Sequence, residues 1–431
     1  MRSLTFQRRQ PSAEPGSAGR EPKEAGGVRK GHFEAQLLLL VTLALVAFGL
    51  VMVYSATSAP AALGNTDPSY YLRKQGVYAL VGLGLLLLFR RTSYRALRPM
   101  APALVLASIV LLLAVLAVGD TINGARRWLH FGPIVFQPSE LAKLALLIFA
   151  AAYLARRPAP RTLGELLKPL GILTGIVCTL LLAEPDLGTA ITIAVMLAGV
   201  LVVSGAPGRL LATAGGLGVA LILAAAWFEP YRRARLLSFL DPWKDAQGAG
   251  FQSVQAMIGL GSGGIFGAGL GQGVQKNFYL PEAHTDMIFA IIGEELGLVG
   301  ATALIAAYAA FGYAGFRVAL SCRDPFGKRL AAGLTTLVCG QALVNIAAVM
   351  GAAPLTGITL PFVSYGGSSL IASLAGVGIL LNIAGDDGRE RARMSDRDRR
   401  NRRTRAPVAR RSRGASRPRR DRDDRRVPRA V

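Results

Sequence analysis

Asp286 ends the stretch Tyr279-Leu280-Pro281-Glu282-Ala283-His284-Thr285-Asp286 and heads an apolar run that begins near Met287. One carboxylate therefore stands where a membrane-length helix would meet water. An ionisable group at that depth is costly unless something uses or pairs it, so it marks a functional site. Glu294 and Glu295 follow about two turns deeper, roughly 12 Å at 1.5 Å per residue. They should face a bundle interior with partners, Lys143 being a candidate. His284 either pairs with Asp286 or serves a structural role.

Three further constellations carry charge or polarity. Gly124-Ala125-Arg126-Arg127-Trp128 leads into Phe136-Gln137-Pro138-Ser139-Glu140-Leu141-Ala142-Lys143. Pro138 suits the first turn of a helix, where its missing N–H would be unbonded anyway. Glu140 and Lys143, three apart, share one helical face. They read either as a self-neutralising ion pair or as the lining of a cavity in which Lys143, or Arg126 and Arg127, contacts phosphate. Glu184-Pro185-Asp186-Leu187-Gly188-Thr189 is a tight turn in which Asp186 either caps the next helix or joins Glu184 around a divalent cation, although two ligands alone define no site. The glycine-dense run 259–273 reads as a flexible hinge or as a cradle for a lipid pyrophosphate, but lacks the Gly-Lys-Ser/Thr ending of a P-loop. In Leu360-Pro361-Phe362-Val363-Ser364-Tyr365-Gly366-Gly367-Ser368-Ser369, small residues permit close helix contact, and Ser364, Ser368 or Ser369 could face the cavity.

The elements that must hold these residues follow from the distribution of charge. The chain has 431 residues, 52% apolar, yet a formal charge of +23. Nearly all that charge lies outside apolar runs long enough to cross a bilayer core, which takes about 20 residues. The expected fold is an all-α polytopic membrane protein with ten spans at about 36–56, 74–89, 101–118, 139–155, 166–183, 187–204, 208–228, 286–319, 330–353 and 365–384. The first apolar stretch is too long for a signal-peptide core, and no cleavable leader is expected. Of the 49 Lys and Arg, 26 lie in the two tails, 11 in the loops on the tails' side and 9 in the opposite loops. The positive-inside rule makes both tails cytoplasmic. Asp286 then faces the exterior, at the end of a large extracellular loop, 229–284, between the seventh and eighth spans. The tails, 1–35 and 385–431, are expected to be disordered. The second holds 19 Arg and is expected to meet anionic lipid or an acidic peptide; no nucleic-acid module is present. Three unclustered cysteines form neither a disulfide framework nor a metal set.

These motifs, in this order, resemble the SEDS family (shape, elongation, division and sporulation) of peptidoglycan glycosyltransferases over about 36–384. Tyr279 to His284 with Ile292-Gly293-Glu294-Glu295, and Phe362 with Ser368-Ser369, are more similar to its division members than to its elongation members. The resemblance implies polymerisation of lipid II into β-1,4 glycan strands at the outer face of the cytoplasmic membrane, at the division septum. It implies a complex with a single-span class B penicillin-binding transpeptidase and other division proteins. It carries an essential aspartate onto Asp286, associates Glu140 and Lys143 with a central cavity, and gives Asp186 another acidic position. An α-linked donor and a β-linked product mean inversion by one displacement, for which one carboxylate serves as general base. Asp286 would fill that role. Arg126, Arg127, Lys143, backbone N–H groups or a divalent cation such as Mg or Mn would stabilise the departing diphosphate. A lipid II transporter is the rival reading, disfavoured because the polar residues cluster towards one side rather than at the midplane. A scaffold recruiting division proteins through its tails is the third.

Overall fold

Each of the ten expected spans falls on helix. The computed structural model describes residues 25–405 except 63–66, 68, 123–124, 133, 229 and 278. Its helices are α1 Ala25–Ala62, α2 Tyr70–Arg91, α3 Leu97–Val118, α4 Pro138–Leu154, a short α5 Leu163–Leu166 running on into α6 Ile172–Ala183, α7 Leu187–Ser204 and α8 Gly208–Phe228. They continue with α9 Pro230–Leu240, α10 Phe251–Ser262, α11 Ile288–Ser321, α12 Pro325–Val349 and α13 Gly367–Arg405. Eight of the expected spans are long and apolar enough to cross a membrane among the described residues. The other two are shorter: α4 has 17 residues, and α8 is apolar over Gly208–Ala224.

Local chemistry sets the helix boundaries. Asp186 caps α7 by accepting the Thr189 N–H at 3.1 Å, and Gly205, at φ +86°, ends it in the left-handed region open to glycine. Asp324 caps α12 through the N–H groups of Phe326 and Gly327, with Pro325 in the first turn. The core lies where α11 and α12 pack on α1, α4, α7 and α13.

Four expectations need correction. The segment 229–284 is not an open loop: it contains α9 and α10, and α10 buries Val254, Ala256 and Gly259. Nor is the glycine run a hinge or a phosphate cradle. A Cβ at Gly263 or Gly267 would overlap the carbonyl oxygens of Gly293 and Glu295. The run instead bonds into α11, with Ala268 N–H on Glu294 O at 2.9 Å and Leu298 N–H on Gly264 O at 2.9 Å. Opposite it, α11 is broken at Gly297 (φ +65°, ψ −162°). Asp286 does not open α11: the helix starts at Ile288, and Asp286 sits in the preceding turn.

The fourth concerns the tails. Helix extends from Ala25 and on to Arg405, so 25–35 and 385–405 are helical where disorder was expected. In the sequence, no proline interrupts the run between Pro361 and Pro407, and a helix already started extends more readily than it nucleates. Residues 1–24 and 406–431 of the expected tails lie outside the described residues. The antiparallel sheet β1 Asp120–Ile122, β2 Ala125–Phe131 and β3 Ile134–Phe136 had no counterpart in the sequence reading. It carries Arg126 and Arg127.

Candidate active site

Asp286 is half-buried in the turn before α11. Its Oδ1 accepts the Thr285 hydroxyl at 3.2 Å. Its main-chain carbonyl accepts Asn345 Nδ2 from α12 at 2.8 Å. Across from the carboxylate lies Gly357, where a Cβ would come 3.9 Å from Asp286 Oδ2. Burial raises the Asp286 carboxyl to about 6, against the lowering pull of its own N–H, of Thr285 and of the Arg235 charge; Glu282 adds to the rise. A carboxylate of that strength can take a proton near neutral pH.

Glu140 and Lys143 lie on the first turns of α4, both buried. Lys143 Nζ reaches Glu140 Oε1 at 2.9 Å and Gln341 Oε1 of α12 at 2.9 Å. The three polar groups line a cavity whose remaining wall is mostly apolar, with Phe311 of α11, Leu334, Leu337 and Val338 of α12, and Val377 and Leu380 of α13. The two ions neutralise each other and also line the cavity.

Several other expected site residues have structural partners. Arg127 donates from Nε to Glu184 O at 3.1 Å and from its guanidinium to Pro185 O. It thus clamps the 184–185 turn instead of standing free for phosphate. Arg126 is exposed, with Nε on Thr121 Oγ1 at 3.1 Å, and is the arginine of the two open to an anion. Asp186 spends its oxygens on Thr189 N–H and Oγ1, at 3.1 and 2.8 Å. Glu184 is buried with neither carboxylate oxygen partnered, and burial first, then the Asp186 charge, raise it to about 8. Among the described residues, no three His, Cys, Asp or Glu side chains converge to hold a metal. The Glu184–Asp186 turn does not fit a cation: one carboxylate is capped and the other favours its neutral form.

Glu294 does not meet Lys143. It accepts the N–H groups of Val274 at 2.7 Å and Gln275 at 3.2 Å, while Glu295 pairs with Lys276 Nζ at 2.8 Å and with Ser55. His284 does not bond to Asp286. Its ring lies between Tyr71 and Tyr365, at centroid distances of 4.7 and 5.4 Å, and burial lowers its basicity. Ser364 Oγ accepts Leu360 N–H at 2.8 Å. Ser368 Oγ bridges Gln137 N–H and Val135 O, tying α13 to β3 and α4. Both serines hold backbone.

The sequence reading missed Gln341, Asn345 and Thr359. Gln341 Nε2 donates to Thr359 O at 2.9 Å, and Asn345 Nδ2 donates to Ile358 O at 2.8 Å. A signal existed: two carboxamides four apart in an apolar run lie on one helical face, and polar residues in a span ask for a use.

Residues 35–388 match the family model described as "Cell cycle protein", covering FtsW, RodA and SpoVE. The "Probable peptidoglycan glycosyltransferase FtsW" of Geobacter sulfurreducens is 42% identical over 351 residues, 81% of this chain and 94% of that protein. Its namesake in Halomonas elongata is 41% identical over 365 residues, 82% of this chain and 91% of that one. Among solved structures, a chain from "Structural coordination of polymerization and crosslinking by a peptidoglycan synthase complex" superposes with a TM-score of 0.68 at 36% identity, over 81% of this chain and 97% of that chain. Crystalline Thermus thermophilus RodA, the rod shape determining protein, gives 0.61 at 34% identity, over 81% and 96%.

Proposed function

The chain belongs to the FtsW, RodA and SpoVE family of membrane proteins, and from that premise we propose that it is a peptidoglycan glycosyltransferase polymerising lipid II during cell division. The observation that carries the mechanism is the Asp286 carboxyl, raised to about 6 by burial at the end of the bundle that the charge bias places outside. In the reaction, the acceptor's sugar 4-hydroxyl attacks the donor's anomeric carbon. The new C–O bond forms as the bond to the diphosphate breaks, and Asp286 takes the hydroxyl proton. The departing undecaprenyl diphosphate carries away the electron pair. Lys143, half-engaged by Glu140, and the exposed Arg126 supply positive charge towards it. A Mg or Mn ion would enter with the phosphates, since such ions bind through few carboxylates and substrate oxygens.

The relatives named FtsW support the division assignment, and with it a site of action at the septum. The likeness to a chain of a peptidoglycan synthase complex supports a class B penicillin-binding transpeptidase as partner. Other division proteins, and anionic lipid or acidic peptide at the Arg-rich tail, complete the proposed set.

The test is polymerisation of purified lipid II by the full chain with its transpeptidase, whose own chemistry is blocked. Asp286→Asn should lose about a hundred- to ten-thousand-fold in rate, the usual span for removing a general base. Near-normal polymer from that variant removes Asp286 from the role.

A further inference from the structure

Asp286 and the Glu140–Lys143 pair come from different elements, α11's leading turn and α4, yet one face of α12 reaches both. Asn345 Nδ2 donates to Asp286 O and to Ile358 O, each at 2.8 Å. One turn away, Gln341 accepts Lys143 Nζ at 2.9 Å and donates to Thr359 O at 2.9 Å. The two carboxamides therefore grip consecutive carbonyls, 358 and 359, of the segment that runs past Asp286. That segment is also fixed from two other sides. Thr359 Oγ1 meets Ser369 Oγ of α13 at 3.1 Å, and Gly188 at the start of α7 lies so close that a Cβ would contact Thr356 O at 2.7 Å.

The Asn345 amide has a one-sided bonding pattern. Both groups in front of it are carbonyl oxygens, so the nitrogen end must face them. Its own Oδ1 is buried without a partner. A buried, unpartnered acceptor works against stability, so the residue is held for its two donor bonds and not for a satisfied core contact. A leucine there would leave the Asp286 and Ile358 carbonyls without that donor.

We propose that Asn345 and Gln341 are positioning residues: a polar strut on α12 that fixes where the Asp286 backbone and the Lys143 ammonium stand relative to each other. This rests on the reading of Asp286 as base and Lys143 as diphosphate contact. Neither carboxamide touches the reacting atoms. Each sets the placement of a residue that does, and a misplacement of about 1 Å can cost a hundredfold in rate.

The experiment uses the full chain with its blocked transpeptidase and follows polymer rate against lipid II concentration. The variants are Asn345→Leu, Asn345→Asp and Asn345→Gln, with Asp286→Asn beside them. Leu keeps bulk without donors, and Asp keeps shape without the amide, so either variant that folds gives the answer. Both should lower kcat by about a hundredfold with KM changed less than about threefold, and Gln, which keeps the amide, should recover part of the loss. The acid limb of the rate profile should move to lower pH in Asn345→Leu, because a loosened turn lets water reach Asp286. The other charged groups acting on Asp286 are Glu282 and Arg235, and both are unchanged in these variants. A merely structural residue would lower the folded fraction and leave both the limb and the kcat per folded molecule where they were; that result overturns the strut. An inactive Asp286→Asn with a normal Asn345→Leu also overturns the strut and spares the base. An active Asp286→Asn overturns the base, and the strut's role with it.

Discussion

A general base must be ionised to act, and at Asp286 burial sets where that happens. With its carboxyl raised to about 6, kcat/KM should fall tenfold per pH unit below about pH 6 and stay flat above it until another group titrates. A limb near the ordinary carboxylate value, well below 5, would mean that water reaches the carboxylate or that another group is the base. The sign for stability is opposite. The folded state holds this proton more tightly than the unfolded chain, so the contribution is present at low pH and lost as pH rises from about 4 to about 6. The Glu140–Lys143 pair raises a different question, whether it is there for packing or for chemistry. Both groups are buried, so Lys143→Met should cost about 3–5 kcal/mol by stranding Glu140. Adding Glu140→Gln should restore most of the thermal stability. If the double variant regains stability but not polymerisation, Lys143 contributes charge to the reaction; if it regains both, the pair is structural.

At the scale of elements, the glycine run and α11 interlock around the break at Gly297. Gly297 sits at φ +65°, and a Cβ there would overlap the backbone of Gly267 and Ile265. Gly297→Ala should therefore lose stability on two counts, about 1–3 kcal/mol from the backbone conformation alone and more from the overlap. Gly76→Ala, on α2 with open space around it, should be neutral or stabilising by about 0.5–1 kcal/mol. Equal thermal midpoints for the two variants would sink the interlock. This joint also shows what a sequence can and cannot disclose. The apolar runs, the Asp186 cap and the Pro138 start were legible because each is written in neighbouring residues. The glycines of 259–273 were legible as unusual but not as a packing surface, since their partner carbonyls lie on another helix. Arg127 looked open to phosphate, and Ser368 to the cavity, for the same reason. Polar side chains near a boundary look available until the backbone carbonyls and N–H groups that occupy them come into place from distant parts of the chain.

On the scale of the whole molecule, everything depends on which end of the bundle faces out. Charge bias puts both tails inside, with 26 of 49 Lys and Arg in them, and Asp286, Glu140 and Arg126 then lie at the outer end. The substrate's reacting headgroup must be at that end for the mechanism to work. In a background without Cys178, Cys322 and Cys339, Glu282→Cys and Arg156→Cys place single thiols at exposed positions near the two ends. A membrane-impermeant maleimide added to spheroplasts should label Glu282→Cys at once and Arg156→Cys only after permeabilisation. The reverse pattern would put Asp286 on the cytoplasmic side, away from the outer face where the proposed reaction takes place, and a carrier that collects lipid II from within would then account for the same cavity better than a polymerase. The expected pattern leaves a carrier needing a second, inward-facing polar vestibule. The cavity's own lining turns apolar from Gln341 through Leu337 towards Leu334 and Leu380, so it supplies no such vestibule.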